Sequence, residues 1–401
     1  MGNATAHKTR RRSPGEGSVY RNGNRWRGAL TWTNPDGSRE RRIVSGTSAK
    51  EARDKLDVLR REAQRGTVPT SRLTVAEFLG EWIEAERTKV QPSTWRGRET
   101  HVRVYLIPAL GRLSLAKLSA VDVDRVLGDF QSKGRPLFGK SNRGRPNRPI
   151  SAHTASHIRA TLRHALTDAM RHSKVSRNAA AEAEAPDVGR KRIVYLAPDL
   201  VRRLIESTAD KDLGPLYALA ASTGLRQGEL LGLSWESVDL EAGTLTVRQS
   251  LARSLDGGWT IAQPKSETSE RTIPLPSMAR AALLTQRANQ ETARATAGDA
   301  WQDTRHVVFT DAVGRSLDPH HVSAQFQRDR AAAGVPRVRF HDLRHSAATL
   351  LLAQGVPLAV ISEWLGHAGI AITMQHYAAI VPSLRLEAAA AMDRALMPAS
   401  K

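Results

Sequence analysis

The placement of apolar residues along segment 17–66 predicts a short β-sheet followed by one helix. Residues 25–33 alternate between an apolar side, which carries two tryptophans, and a side of basic and small residues. This two-residue period is that of a β-strand. Turn-forming residues lie on both sides of the strand, and a third short strand is predicted at 41–44. Ser48 and Glu51 have the spacing of a capping box, so the helix should begin there.

From residue 72 to residue 178 the apolar positions recur every three to four residues, which is the period of an α-helix. Thr74 and Glu77 form a second capping box in front of the first of these helices. Apolar faces of this kind lie at 78–83, 123–130 and 158–169. The stretch 133–148 is rich in Gly, Pro, Arg and Lys, and we expect a loop there because it has little to bury.

Beyond residue 196 the pattern predicts a helical domain with a strand-rich insert. Helices are predicted within 223–240 and at 341–355, and an alanine-rich tail at 384–397 has a third helical face. Between the first two, the predicted strands are 244–248, 259–262 and one that follows a turn at 264–275.

Together these patterns predict a mainly α chain with small β elements, in the α+β class. We expect a three-stranded sheet at the N-terminus, a helical middle domain, and a mixed helical domain that carries a small antiparallel sheet.

Composition then narrows the class of protein. The chain has 401 residues and 40% hydrophobic residues, enough for two to four domains with real cores, which excludes a wholly disordered chain. It has no cysteine, which excludes disulfide scaffolds, iron–sulfur sites and cysteine nucleophiles. There is no run of about eighteen apolar residues and no apolar signal core near the N-terminus, so we expect a cytoplasmic protein without a membrane partner.

Charge is the first positive indication of function. Sixty basic residues against forty acidic ones give a net charge of +20, which favours a polyanionic partner such as nucleic acid. Residues 1–70 carry +9, residues 71–190 carry +9, and residues 191–401 carry only +2. The first half therefore has the charge expected of a module that grips a phosphate backbone, and the second half that of an ordinary globular domain.

Five arginines lie on the predicted N-terminal sheet and are the residues we expect to contact DNA there. They are Arg25, Arg27, Arg39, Arg41 and Arg42. The alternative is a basic sheet that faces only solvent, and we favour DNA contact because the whole module is basic.

Two short sequence matches suggest other chemistry but lack the right context. Residues 134–141 fit the G-x-x-x-x-G-K-S phosphate loop, yet a polar helix end precedes them where a buried strand is needed. His341 and His345 have the i, i+4 spacing of zinc proteases, but Asp342 replaces the usual glutamate and Arg344 would repel a metal. We therefore expect neither nucleotide binding nor a metal site.

A third set of residues combines several reactive side chains in the second half of the chain. Its members are Arg226, Lys265, His341, Arg344, His367 and Tyr377. Each has an ordinary explanation as well: Arg226 as a surface arginine, Lys265 as a turn lysine, His341 as a core histidine, Tyr377 as an interface aromatic. The order and spacing of the whole set are much more specific than any member.

That order resembles the catalytic domain of tyrosine recombinases, the phage-type integrase family, over about residues 195–395. Leu365-Gly366-His367 and Glu229, three residues after Arg226, also match the family pattern. Residues 72–178 resemble the family's helical core-site-binding domain, and 15–66 its three-stranded arm-binding domain. The predicted organisation is an arm-binding domain (1–70), a core-binding domain (71–178), a linker (179–192) and a catalytic domain with a tail helix (193–401).

The resemblance implies a chemistry for each catalytic residue. Arg226 and Arg344 would neutralise the non-bridging phosphate oxygens with bidentate hydrogen bonds, while Tyr377 would attack phosphorus. His341 is the expected base, Lys265 the expected acid for the departing 5′ oxygen, and His367 a further hydrogen-bond partner of the phosphate. A 3′-phosphotyrosyl link would conserve the bond energy, so neither a metal, nor ATP, nor any other cofactor is expected.

The expected function is site-specific integration or excision of a phage or other mobile element. The expected partners are double-stranded DNA, with core and arm-type sites, and three further copies of the chain in a tetramer. An excisionase or a host DNA-bending factor could assist. Two alternatives stay open here: a relaxing type IB-like topoisomerase with the same chemistry, and a catalytically silent DNA-binding protein with the same fold.

Overall fold

The computed structural model describes residues 17–33, 39–64, 73–134, 148–189, 194–262, 270–302, 305–367, 369, 392–393 and 396. The chain folds as two units, residues 1–189 and 190–401. The expected loop at 133–148, the phosphate-loop match and the alanine-rich tail fall largely outside the described residues.

The first unit begins with the predicted three-stranded sheet and helix. Its elements are β1 (Ser18–Asn22), β2 (Arg25–Thr33), β3 (Arg39–Gly46) and α1 (Ala49–Gln64), and the strands are antiparallel in the order β1-β2-β3. The hydroxyl of Ser48 accepts the predicted hydrogen bond from the backbone N–H of Glu51, at 3.1 Å. The carboxylate of Glu51 reaches one residue further back than the capping box predicts and accepts from the N–H of Thr47, at 2.7 Å.

Alternation along β2 brings its apolar side onto α1, as predicted. Leu30 packs against Leu56 and Leu59 of the helix in a small buried cluster. Gly28 lies where β2 comes close to α1, because a Cβ there would stand 3.0 Å from the carbonyl oxygen of Ala52. Glycine is therefore needed for the helix to pack this near to the sheet.

The other described residues of the first unit are mainly helical, which confirms the predicted fold class for this part of the chain. Its helices are α2 (Val75–Glu86), α3 (Pro92–Thr100), α4 (Ile107–Leu110), α5 (Ala120–Lys133), α6 (Ala152–Arg171) and α7 (Ala179–Glu182). Thr74 and Glu77 form both hydrogen bonds of the predicted capping box at the start of α2. A π-helical turn, His101–Leu106, joins α3 to α4.

The first residues of the predicted linker 179–192 are part of the folded unit. Asn178 caps α7 by accepting from the N–H of Ala181, at 3.1 Å, and Ala179 and Ala180 are buried. The Nη2 of Arg159 on α6 donates to the carbonyl of Ala183, at 2.8 Å. These contacts fasten α7 to α6.

Over its described residues, the second unit is a helical domain with two small antiparallel sheets. Its helices are α8 (Pro198–Ser207), α9 (Gly214–Thr223), α10 (Gln227–Leu231), α11 (Ser277–Ala297), α12 (Pro319–Ala332), α13 (Asp342–Ala353) and α14 (Leu358–Leu365). Its strands are β4 (Val238–Asp239), β5 (Thr244–Val247), β6 (Ser250–Arg253), β7 (Trp259–Ala262) and β8 (Arg271–Pro274).

The described strands of this unit form two sheets, whereas the sequence predicted one. β4, β5 and β8 form one sheet, whereas β6 and β7 pair with each other as a separate hairpin. The expected strands at 244–248 and 259–262 thus exist but do not pair with each other. Alternation fixes which side of a strand is buried, but it does not say which strand is the neighbour.

Helix α9 is the centre of the second unit. Nearly all of its residues are buried, so it is apolar on every side. The buried hydroxyl of Tyr217 donates to Asp329 at 2.9 Å, and Lys211 donates to the same carboxylate at 2.7 Å. Helix α9 ends beside two of the predicted catalytic residues, Arg226 and Arg344, and links them to the core of the domain.

Among the described residues, no helix is both long enough and apolar enough to cross a membrane. The cytoplasmic location stays a prediction.

Candidate active site

The turn after α9 places Arg226 at the start of α10, directly before its first residue. Gly224 ends α9 with φ +67°, and a Cβ there would lie 2.7 Å from the side chain of Leu365. The turn therefore requires glycine both for its left-handed backbone and for its close contact with α14. Glu229 holds Arg226 in place: it accepts from the backbone N–H at 2.9 Å and from Nη1 at 2.7 Å.

The C-terminus of α14 brings three arginines together. Its last carbonyl groups have no partner within the helix, and three successive ones each accept a hydrogen bond from a different arginine. The N···O pairs are Arg271 Nε to Trp364 (2.8 Å), Arg344 Nη2 to Leu365 (2.7 Å) and Arg226 Nη2 to Gly366 (2.8 Å). We call this arrangement the carbonyl cluster. It holds both predicted phosphate-binding arginines on one helix end.

Two further hydrogen bonds attach α14 to the end of α9. The indole N–H of Trp364 donates to the carbonyl of Thr223 at 2.8 Å, and Nη1 of Arg344 donates to the carbonyl of Gly224 at 2.9 Å. The side chain of Arg344 thus bridges the two helix ends. It is only 4% exposed, so the guanidinium has a single, well-defined position.

Arg271 also forms a buried ion pair with Glu229. Its Nη2 and Nη1 lie 2.9 and 3.3 Å from the two carboxylate oxygens. Burial alone would raise the pKa of Glu229, but the hydrogen bonds and charge of Arg271, together with the charge of Arg226, hold the pKa below its usual value. Glu229 is therefore ionised at neutral pH and shared between two arginines.

His341 lies at the start of α13, one turn before Arg344, as the i, i+3 spacing predicts. Its side chain reaches the surface, yet the protein packed around the ring lowers the pKa of the imidazole. The charges of Arg344 and Arg339 lower the pKa further, and Asp342 opposes them. The ring is therefore neutral near pH 7, the state in which it can accept a proton.

The structure places four of the six predicted catalytic residues. Arg226 and Arg344 meet at the carbonyl cluster. His367 follows that cluster directly, and its backbone N–H donates to the carbonyl of Ser362 at 3.0 Å. His341 precedes Arg344 on α13. Lys265 and Tyr377 lie outside the described residues, and their roles stay predictions.

Sequence reasoning missed Arg271. In β8, Arg271 and Ile273 are buried and alternate with exposed residues. An arginine on the buried side of a strand needs an acidic partner, and Glu229 had already been singled out on other grounds. The alternation in β8, which places Arg271 on the buried side of the strand, was the signal that could have identified this residue.

The structure divides the five sheet arginines between two faces. The register pairs Arg42 with Leu30, so Arg42 shares the face covered by α1, and it is half-buried. Arg25, Arg27, Arg39 and Arg41 occupy the opposite, open face of the sheet. Of these four only Arg27 is half-buried; the others are exposed. The open face is thus a basic surface of the N-terminal module.

One group of three potential metal ligands occurs among the described residues: Glu86, His164 and Asp168 in the first unit. Glu86 already pairs with Arg98, and Asp168 accepts a hydrogen bond from the indole of Trp82 at 2.9 Å. These contacts give the carboxylates a structural role between α2 and α6.

Two family models match this chain. Residues 195–383 match the phage integrase family, and residues 74–128 match the N-terminal SAM-like domain of phage integrases. The first match includes the carbonyl cluster and the stretch up to residue 377.

Relatives and solved structures match over most of their length. A tyrosine recombinase XerC-like protein of Caldanaerobacter subterraneus subsp. tengcongensis is 27% identical, with 87% of this chain and 90% of the relative covered. The fold is similar to that of the transposon Tn1549 integrase in complex with a circular intermediate DNA, at a TM-score of 0.64 and 19% identity over 78% of this chain and 99% of the other.

A lambda integrase tetramer bound to a Holliday junction is similar as well, with a TM-score of 0.55 and 17% identity over 90% of this chain and 94% of the other. Both family models describe phage integrases, and the relative is named as a tyrosine recombinase. The chain therefore belongs to the phage integrase family and is a tyrosine recombinase, an enzyme of site-specific DNA recombination.

Proposed function

We propose that this chain cleaves and rejoins DNA at specific sites through a covalent bond between Tyr377 and the 3′ phosphate, and that it integrates or excises a mobile element. The carbonyl cluster carries the proposal. It holds Arg226 and Arg344 on one helix end, and two guanidinium groups can bind the two non-bridging oxygens of one phosphodiester.

In the proposed step, the phenol oxygen of Tyr377 attacks phosphorus and the bond to the 5′ oxygen breaks. The phenol proton passes to neutral His341, and Lys265 gives a proton to the departing 5′ oxygen. Arg226 and Arg344 stabilise the charge that develops on the non-bridging oxygens, with His367 as a third donor. The reverse reaction, with a 5′ hydroxyl from another strand as nucleophile, releases Tyr377 and restores the phosphodiester. No cofactor takes part in this scheme.

The first unit supplies the DNA grip in this proposal. Residues 71–178 would bind the core site beside the cleaved phosphate, and the open face of the sheet in residues 1–70 would bind arm-type DNA through Arg25, Arg27, Arg39 and Arg41. The basic surplus of the chain before residue 190, +9 on residues 1–70 and +9 on residues 71–190, supports the division. The residues after α7, up to residue 192, would connect this grip to the catalytic domain, residues 193–401.

We further propose that four copies act together on two DNA duplexes, since a lambda integrase tetramer is bound to a Holliday junction. An excisionase or a host DNA-bending protein would then set the direction of the reaction.

The decisive experiment compares the parent with Tyr377→Phe on a suicide core-site DNA. A nick near the cleaved phosphate lets a short fragment diffuse away, so the covalent adduct accumulates and is seen on a denaturing gel. The parent should form the adduct, and the phenylalanine variant should bind the same DNA but form none. Peptide mapping should locate the DNA on Tyr377.

Several results would contradict the proposal. An adduct on another residue, or one that persists in Tyr377→Phe, would exclude this nucleophile. The absence of any adduct with the parent would favour the silent DNA-binding protein. Relaxation of plasmids that lack a recombination site would favour the topoisomerase, so a plasmid without the site belongs in the same assay. Thermal melting of both proteins shows whether a loss of activity reflects folding.

A further inference from the structure

We infer that Arg271 is a positioning residue of the active site: it fixes Glu229 and the end of α14, and through them the guanidinium of Arg226. This inference rests on the proposed function, since it concerns how the phosphate-binding arginines are held. Arg271 itself does not touch the phosphate in this scheme.

The contacts of Arg271 reach both supports of Arg226. Arg226 is held by two acceptors, the carboxylate of Glu229 at 2.7 Å and the carbonyl of Gly366 at 2.8 Å. Arg271 binds that same carboxylate through two nitrogen atoms and the carbonyl of Trp364 through a third. A shift of Arg271 would therefore move both acceptors of Arg226 together.

Packing makes this linkage stiff. The side chain of Arg271 is 6% exposed, and that of Glu229 is 7% exposed. A Cβ built on Gly366 would lie 2.7 Å from Nη1 of Arg271. The guanidinium is thus packed directly against the backbone from which His367 continues, and the position of one determines the position of the other.

Only a guanidinium can make these contacts at once. Its planar group of donors reaches two carboxylate oxygens and, through Nε, a carbonyl on another side. A lysine keeps the charge but concentrates its donors on one nitrogen atom, so it could satisfy Glu229 or Trp364 but not hold both in this geometry.

An ion pair can also serve stability alone, and the same unit offers a control in which the carboxylate is buried and the lysine is 39% exposed. Lys211 lies 2.7 Å from Asp329, whose side chain is 4% exposed. Neither residue belongs to the carbonyl cluster. Lys211→Met leaves the buried carboxylate of Asp329 without this cation, and Arg271→Met removes one of the two cations that pair with Glu229, so both should lower the melting temperature.

The test measures adduct formation by Arg271→Lys on two suicide DNAs, one with an ordinary phosphate at the cleavage site and one with a methylphosphonate there. The methyl group replaces a charged oxygen, so the neutral substrate depends less on exact placement of the arginines. Misplacement of reacting groups by about 1 Å can cost about 100-fold in rate. We expect a loss of about that size on the ordinary phosphate, and a loss at least about tenfold smaller on the methylphosphonate, because less charge needs stabilising.

Two other variants complete the design. The double variant Arg271→Met/Glu229→Gln removes both charges of the ion pair, so it should fold; it should show the same difference between the two substrates. Lys211→Met should change the rate of adduct formation by the same factor on both substrates. All rates are measured below the lowest melting temperature in the set, so that unfolding does not enter the comparison.

The outcomes separate this inference from the proposed function. If the parent forms no adduct, the proposed function itself fails. If the parent is active and Arg271→Lys reacts within about threefold of it, the inference is wrong. An equal loss on both substrates also overturns it, since Arg271 would then serve stability alone, as Lys211 does.

Discussion

On the open face of the N-terminal sheet, three of the four arginines project into solvent, whereas each arginine of the carbonyl cluster is tied to a backbone carbonyl. Arg41 belongs to the first group and is exposed; Arg344 belongs to the second and is 4% exposed. Both groups are suited to phosphate. They differ in how much freedom the guanidinium keeps before DNA arrives.

That difference in freedom matches two different tasks. An exposed arginine can follow a phosphate backbone of varying shape, and its contribution falls as salt rises. An arginine that is already fixed loses little freedom at the moment of reaction, so its bonds can strengthen as charge develops on the phosphate. Under the proposed function, the same residue type would contribute affinity in one region and rate in the other.

The largest expected effect comes from Arg344→Lys. Lysine keeps the charge but cannot bridge Gly224 and Leu365 while presenting a fork to phosphate. Loss of one such contact costs about 100- to 1,000-fold in rate, and we expect that loss in single-turnover adduct formation. A rate of adduct formation close to that of the parent would show that the fixed position of Arg344 does not contribute to the rate.

Gly366→Ala should have the next largest effect. Its φ of +66° costs an alanine about 1–2 kcal/mol, and the new methyl would strike Arg271. Gly355→Ala is the matched control, because Gly355 has φ +76° but open space around it. Both variants should melt lower than the parent, while adduct formation should fall by about tenfold more for Gly366→Ala. Equal activities would mean that the cluster tolerates displacement.

Arg339→Gln should shift the pH dependence of cleavage. Arg339 lowers the pKa of His341 and also pairs with Asp342, whose carboxylate raises it. Removal of Arg339 should therefore raise the pKa of His341. The neutral form is then lost at a higher pH as acid is added, so the acid limb of the rate profile moves up.

The control for this pH profile is Arg337→Gln, an exposed position in the same loop, which should leave the acid limb where the parent has it. An unchanged acid limb in Arg339→Gln would argue that His341 is not the base.

The smallest effect is expected on the sheet. Arg41→Gln should weaken binding to a long attachment DNA and reduce the slope of log K against log salt by about 0.9 if one phosphate contact is lost. Arg42→Gln, one residue further along but on the face covered by α1, should change the slope much less. Cleavage of a short core site should be unaffected by either. A larger effect of Arg42→Gln would place the DNA on the other face.

Local patterns in the sequence predicted much of this fold. The faces of β2 and α1, the capping box at Thr74 and the start of α13 all follow from spacings of a few residues, and the structure confirms them. The pairing of β6 with β7 did not follow, because the register between strands depends on partners and not on period.

In the candidate site, too, some features could be predicted from the sequence and others could not. The order of Arg226, Glu229, His341 and Arg344 was visible in the sequence. The role of Arg271 was not visible. Its partner Trp364 is 93 residues away in the sequence, and Arg271 binds the backbone carbonyl of that residue, a group that every residue type has. Hydrogen bonds to main-chain oxygens are set by the fold, so a motif cannot reveal them.

The carbonyl cluster also has an electrostatic consequence. A carbonyl oxygen orients a guanidinium without cancelling its charge, whereas each added carboxylate would remove one unit. Three arginines and the single carboxylate of Glu229 leave a formal surplus of two positive charges at this helix end. The negative end of the α14 dipole offsets that surplus only by about half a charge. The three arginines are thus held together largely by backbone dipoles, and their positive field is already present before any DNA binds.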